Sequence, residues 1–270
     1  MSIEQYRNKS LLQAFREYLV QDDHNRSEQK RKEREGIWFY PSSFGQCSRK
    51  IVYQMLDYSS SPKDAEDILV LDNGTYFHER MEDYFEKMGI LVTKEMAFRD
   101  EELSVSGRTD AIVYDPMFDP ETDEPGETIT LTDRYGKTFY EGPANALVIV
   151  EFKSIKDQNF DKLRTSPKKN HLQQLQLYLH MTGIPKGIVW YENKNNQTPL
   201  AMECPYDPKV AEQAVAFVKE HVAYAQRKEL PERPFGPNDI PCRWCEYRDI
   251  CHPDESPFDY EDLLRQHYPF

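Results

Sequence analysis

Leu147-Val148-Ile149-Val150-Glu151-Phe152-Lys153 is the stretch on which the reading of this chain turns. Four consecutive apolar residues describe a strand buried on both faces, of the kind found at the centre of a sheet. Alternation along a strand places Glu151 and Lys153 on one face and Phe152 in the opposite layer. Charges at the end of a buried strand are costly unless they are paired or ligated. A Glu-x-Lys pair alone also describes an ordinary ion pair at a strand end. A second carboxylate changes the reading. Asp110 ends the short extended segment Gly107-Arg108-Thr109-Asp110 and precedes the apolar Ala111-Ile112-Val113. Two carboxylates on neighbouring strands can hold Mg²⁺ or Mn²⁺ through oxygen. Such an ion lowers the pKa of water and stabilises charge on a phosphate. Lys153 is then placed to position that water or to neutralise developing negative charge.

On either side of this stretch, Leu91–Phe98 and Arg108–Tyr114 read as strands before the central one, and Gly187–Tyr191 and Thr198–Cys204 as strands after it. Helices are expected over Ile3 to about Asp22, Cys47–Leu56, Asp64–Met88, 170–182 and Asp207–Arg227. In the first helix Tyr6, Leu11, Phe15 and Leu19 form the apolar spacing, and Asp23–Gly36 reads as a charged connector. The segment Asp115–Ala146, rich in Pro, Gly and acid, reads as a hairpin that leaves the core, with its turn at Arg134-Tyr135-Gly136. The expected organisation is a charged helical extension over 1–36, a main domain over 37–252 with an insertion at about 115–146 and a cysteine region at 240–252, and an acidic tail over 253–270.

Three further features fall around the carboxylates. His78, in Gly74-Thr75-Tyr76-Phe77-His78-Glu79, is a candidate metal ligand on a helix. His171, Gln174 and Tyr178 share one face of the 170–182 helix, where Gln174 and Tyr178 can hydrogen-bond a phosphate or support the lysine. Lys168 and Lys169 lie just before that helix, near Lys162 and Arg164.

The chain has 270 residues, 39% of them hydrophobic and 13% aromatic, with a formal net charge of −13. That composition indicates a folded chain, and its overall charge opposes nucleic-acid binding unless basic residues are gathered locally. No run is long enough to cross a membrane, and the first residues lack the basic-then-apolar order of a secretory signal, so a cytoplasmic location (host cytoplasm for a viral protein) is expected. The five cysteines are an odd number for a disulfide framework. Cys242-Arg243-Trp244-Cys245 followed by Cys251 describes a metal site needing a fourth ligand, either zinc or an iron–sulfur cluster. Cys47 suits that position better than His252, which adjoins Cys251, or Cys204, which reads as a buried small hydrophobe.

Together these residues resemble a known family. Gly74-x3-His78, Gly107-x2-Asp110, Glu151-x-Lys153 and Gln174-x3-Tyr178 occur in the order of the RecB-like branch of the PD-(D/E)XK nucleases. Cys47 with Cys242-x2-Cys245-x5-Cys251 looks like its iron–sulfur subgroup, which includes CRISPR-associated exonucleases, AddB-type nuclease domains and phage relatives. The resemblance implies an α/β fold of the restriction-endonuclease-like α+β type: a central mixed sheet flanked by helices, with a [4Fe–4S] cluster on the four cysteines joining the N- and C-terminal segments. It implies His78, Asp110, Glu151 and the Phe152 main-chain carbonyl as ligands to Mg²⁺ or Mn²⁺, Lys153 as catalytic lysine, and Gln174 and Tyr178 beside it. The implied substrate is DNA, single-stranded or with free ends, hydrolysed exonucleolytically in recombination, repair or phage DNA processing. Any helicase partner would be a separate chain. The alternative is a non-catalytic DNA-binding or assembly subunit of a recombination or CRISPR-type complex that keeps the fold.

Overall fold

A computed structural model describes residues 3–163 and 165–254. Arg164 and residues 255–270, hence most of the expected acidic tail, lie outside the described residues. A five-stranded sheet organises the rest. Its order is β1 (Leu91–Asp100), β2 (Val105–Tyr114), β5 (Leu147–Ile155), β6 (Lys186–Asn193) and β7 (Pro199–Pro205). The apolar run of the opening stretch is thus the middle strand. β5 runs parallel to β6 while β2 pairs with β5, and β7 with β6, antiparallel, so the sheet is mixed.

Helices cover both faces. On one side α3 (Ala65–Lys87) sets Phe77, Met81 and Phe85 against Ala111, Val113, Val148, Val150 and Phe152. On the other, α2 (Ser48–Met55), α5 (Lys169–Thr182) and α6 (Pro208–Arg227) enclose Ile112, Leu147, Ile149, Leu175 and Leu179. The sequence explains these helices locally. Asp64 caps α3, Asp207 caps α6 with Pro208 in its first turn, and Gly183 ends α5 in the left-handed region at φ 75°. A short helix, α4 (Asp157–Phe160), bridges β5 and α5.

The N-terminal helix differs from its expected bounds. α1 spans Leu11–Lys32, through the stretch that reads as a connector, and its only buried residue is Leu19. Leu11 and Phe15, expected on an apolar face, are exposed. This helix is held by a capping box between Ser10 and Gln13 and by ion pairs such as Arg26–Asp22, Lys63–Asp23 and Arg31–Asp57. Apolar periodicity therefore underestimates its length.

The inserted segment forms its own two-stranded sheet, β3 (Thr128–Thr132) with β4 (Thr138–Pro143). It does not stand clear of the body. Leu131 is buried in the main core, and the Arg134 N–H donates to the Ala97 carbonyl of β1 at 2.9 Å. At the other end of the chain, α7 (Ile240–Arg243) and α8 (Arg248–Cys251) dock near α2. Tyr247 stacks on Tyr53 at 5.3 Å, and Lys50 pairs with Glu246 at 2.8 Å. Among the described residues no helix is long and apolar enough to cross a membrane.

α5 packs tightly on the sheet at Gly187. A Cβ there would lie 2.6 Å from a Leu175 methyl and 3.0 Å from the Ile149 carbonyl oxygen. Leu175 is fully buried and cannot swing aside. Gly187→Ala is expected to cost about 1–3 kcal/mol by pushing α5 off the sheet. Urea unfolding measures this, and an unchanged midpoint would contradict the packing.

Candidate active site

The β2–β5 ladder stops at Ala111↔Val150, so Asp110 and Glu151 are the next facing pair, beyond the last bonded one. Asp110 itself prevents the ladder from continuing. Its Oδ2 accepts the Phe152 N–H at 2.7 Å, putting a carboxylate where a main-chain partner would otherwise lie. Phe152 holds still for this contact because its ring is fully buried against α3, with Phe85 at 5.7 Å, Phe77 at 5.9 Å and His78 at 5.6 Å between ring centres.

Glu151 is 1% exposed. Its Oε1 accepts from Lys153 Nζ at 2.5 Å, whereas its Oε2 is buried without a hydrogen-bond partner. Burial, then the Asp110 charge, pushes its carboxyl up to about 7 against the pull of Lys153. Burial by itself would lower the Lys153 ammonium, but the charges of Glu151 and Asp110 outweigh it and raise the pKa. His78 reaches the site from α3, with Nδ1 3.4 Å from Asp110 Oδ1. Burial again opposes its charged form, and the Asp110 carboxylate prevails and raises it.

Glu95 is the site residue that the sequence reading missed. Its carboxylate joins His78 and Asp110 in a group whose ligand atoms all lie within 4.8 Å of one another. In the β1–β2 register Lys94 faces Ala111 and Met96 faces Thr109, so Glu95 falls opposite Asp110 and continues the row Glu151–Asp110 onto a third strand. Its backbone is in the left-handed region at φ 50°, a costly conformation for a residue with a side chain. Arg108 pairs with it at 2.9 Å. The sequence signal was an acidic residue within a half-polar strand, and only register assigns it a neighbour.

The expected companions on α5 are in place on one side of the cleft. Gln174 Nε2 donates to Tyr178 OH at 3.1 Å, and both line a cleft of ≈ 770 Å³ with His78, Asp110, Glu151 and Lys153. Burial, with Glu151 and Asp110 nearby, raises the Tyr178 phenol well above its ordinary value, so it is a neutral donor. His171 turns to Tyr191 at 2.8 Å, and burial together with Lys153 and Lys168 lowers it to about 3. It is a neutral structural histidine. For Phe152 the described contact to the site is its N–H, not its carbonyl.

The cysteines fall at both ends of the described chain. Cys47 occupies the N-cap of α2, Cys242 lies in α7, Cys245 follows it and Cys251 ends α8. The Cys242 thiol is raised by burial and then by Cys245, Cys251 and Cys47, so these three lie within electrostatic reach of Cys242. Cys204 is buried apart from them in β7, its thiol directed at the Met202 carbonyl.

Residues 141–252 match the family model of the PD-(D/E)XK nuclease superfamily. That span contains Glu151, Lys153, Gln174, Tyr178 and the three C-terminal cysteines, and stops short of His78, Glu95, Asp110 and Cys47. No curated protein matches the chain. Among solved structures it is similar to SSO0001, with 16% identity over 89% of this chain and 96% of that one and a TM-score of 0.48. It is also similar to an alkaline exonuclease (LHK-Exo) from Laribacter hongkongensis, with 11% identity over 71% of this chain and 89% of that one and a TM-score of 0.45.

The raised Glu151 carboxyl predicts how divalent ions should bind. A carboxylate must lose its proton to ligate, and here that loss is delayed to near pH 7. Mn²⁺ affinity is therefore expected to fall about tenfold per pH unit below 7 and to level off above it. Titration calorimetry at pH 6, 7 and 8 checks this, and a pH-independent affinity would remove Glu151 from the ligand set.

Proposed function

We propose that this protein is a metal-dependent deoxyribonuclease that hydrolyses DNA phosphodiester bonds from free ends, preferring single strands. The observation that carries the reading is the buried, unpartnered Glu151 Oε2 beside Asp110 and Lys153. An orphaned carboxylate oxygen in the interior is expensive, and a divalent cation is the partner that the surrounding oxygen and imidazole donors suit. His78, Asp110 and Glu151 would hold Mg²⁺ or Mn²⁺, with Glu95 within reach of the same ion and the Phe152 carbonyl completing the set. Such an ion supplies the positive charge that acidifies water and stabilises the phosphorane-like transition state.

The chain's own groups do the remainder. The Glu151 carboxylate holds the Lys153 ammonium in one orientation, where it can fix the attacking water and offset charge on the phosphate. Tyr178, kept protonated by burial and oriented by Gln174, offers a hydroxyl to a non-bridging phosphate oxygen. The Asp110 contact to Phe152 N–H sets the separation of the two strands that carry the carboxylates. Action on free ends and single strands follows the resemblance in motif order, as does a place in recombination, repair or phage DNA processing in the cytoplasm, beside a motor carried by another chain.

The proposal extends to a [4Fe–4S] cluster on Cys47, Cys242, Cys245 and Cys251. A mononuclear zinc with bonds near 2.3 Å brings its sulfurs to about 3.8 Å of one another. Four thiolates drawn from two ends of the chain suit either zinc or a cluster, and the resemblance in cysteine spacing favours the cluster. A cluster there would tie α2 to α7 and α8 and take no role in hydrolysis.

Two experiments test these statements. End-labelled single- and double-stranded DNA incubated with Mn²⁺ should shorten progressively, and Lys153→Ala or Asp110→Ala should slow this by about a thousandfold or more. Variants with full activity would refute the assignment, and inactive wild type would favour the non-catalytic assembly role. Anaerobically purified protein should be brown, with broad absorption near 400 nm and about four irons and four sulfides per chain. A colourless protein with one zinc would exclude the cluster.

A further inference from the structure

The deoxyribonuclease reading explains the floor of the cleft but not its rim. The inserted hairpin turns at Asp133–Lys137, and the turn is built to be rigid. Asp133 Oδ1 accepts the N–H groups of Tyr135 and Lys137, each at 2.9 Å, and the Asp133 N–H donates to the Lys137 carbonyl at 2.9 Å. Gly136 takes the left-handed conformation the turn needs, at φ 84°. The bond from Arg134 N–H to the Ala97 carbonyl then fixes this tip to β1, so that Arg134 and Tyr135 line the same cleft as Asp110, Glu151 and Lys153. Tyr135 is nevertheless 74% exposed. A rigid, anchored turn thus holds an aromatic ring in water beside the acidic floor, where an incoming ligand can cover it.

The chemistry around the ring indicates what does. The Arg134 guanidinium lies over Tyr135 at 4.8 Å, and on β1, two residues from Ala97, Arg99 lies over Trp38 at 4.3 Å. Among the described residues neither Arg99 nor Arg134 takes part in an ion pair, whereas Arg16, Arg26, Arg31, Arg80 and Arg227 do. In a chain of net charge −13, two guanidinium groups without a carboxylate partner therefore flank the acidic floor. Glu33 and Glu35 also reach this rim, beside Lys30 and Arg34.

We propose that the hairpin tip and the β1 edge form a wall that grips single-stranded DNA. This rests on the deoxyribonuclease reading of the floor and adds the residues that select its substrate. Tyr135 stacks on a base while Arg134 and Arg99 hold the phosphates on either side, leading the strand down to Lys153. An exposed ring of this kind can stack only on a base face that is not already covered, which a single strand offers and the interior of a duplex does not. Guanidinium groups already positioned over aromatic rings lose little freedom when they meet phosphate.

The test is fluorescence anisotropy of a labelled oligothymidine of about 20 nucleotides, longer than one binding groove requires, with Ca²⁺ in place of Mn²⁺ and oligonucleotide length checked afterwards. A blunt duplex of the same length is the second probe. Wild type is expected to bind the single strand more tightly than the duplex. Tyr135→Ala and Arg134→Ala should each weaken single-strand binding about tenfold, in the range of one lost stacking contact, and change duplex binding less. Tyr135→Phe, which keeps the ring, should bind as wild type does. Matched circular-dichroism melts confirm that the exposed substitutions leave the fold alone.

Single-strand affinity within about twofold of wild type in both alanine variants would overturn the wall, because one stacking contact accounts for more than that. If wild type degrades DNA while those variants bind normally, the wall alone falls. If wild type neither binds nor degrades DNA, the deoxyribonuclease reading falls with it.

Discussion

One hydrogen bond organises this molecule's chemistry: the Asp110 carboxylate accepting the Phe152 N–H at 2.7 Å. It ends the β2–β5 ladder with a side chain instead of a main-chain pair, and so opens a gap between two central strands that would otherwise close. Both of its partners are held from elsewhere. Phe152 is locked by the aromatic residues of α3, and Asp110 is followed by the apolar run that anchors β2 in the sheet. The gap is therefore a consequence of core packing, and the functional groups inherit their spacing from it.

Charge balance follows from that placement. Glu151, Lys153, His78 and Asp110 are crowded together in a largely buried group, so each strongly shapes the charge of the others. Glu151 is raised toward neutrality, while Lys153 and His78 are driven toward their charged forms despite burial. The resulting group has one unsatisfied oxygen, and Glu95, strained and paired with Arg108, stands beside it. A site left with unmet coordination and stored backbone strain is suited to an ion that arrives from solvent. Its neighbours on α5 contribute no net charge, Tyr178 and His171 both being held neutral, so they orient without disturbing the balance.

Much of the fold could be read along the chain because it rests on local rules. β5 was visible as an unbroken apolar run, α5 as a periodic segment ending at Gly183, and α6 as a capped helix beginning at Asp207-Pro208. Where local rules were weak, the reading failed in a consistent direction. α1 continues past its expected end because ion pairs and a capping box sustain it, and these leave no apolar pattern. The hairpin read as an excursion, yet Leu131 returns it to the core, since a single buried leucine in a polar segment is invisible to periodicity.

For the site, the order of residues along the chain was enough to single out the side chains proposed to carry the chemistry. It also put Glu151 and Lys153 on one strand face, because alternation is a property of one strand. It grouped Cys47 with the C-terminal cysteines and set Cys204 aside. Three-dimensional packing was needed for the rest: that Asp110 holds two strands apart, that one Glu151 oxygen is left without a partner, that Glu95 joins the row, and that Tyr135 stands over the cleft. Each of these depends on the register between strands distant in sequence and on which core residues fix it. Such choices are set by the packing of the whole, not by any segment read alone.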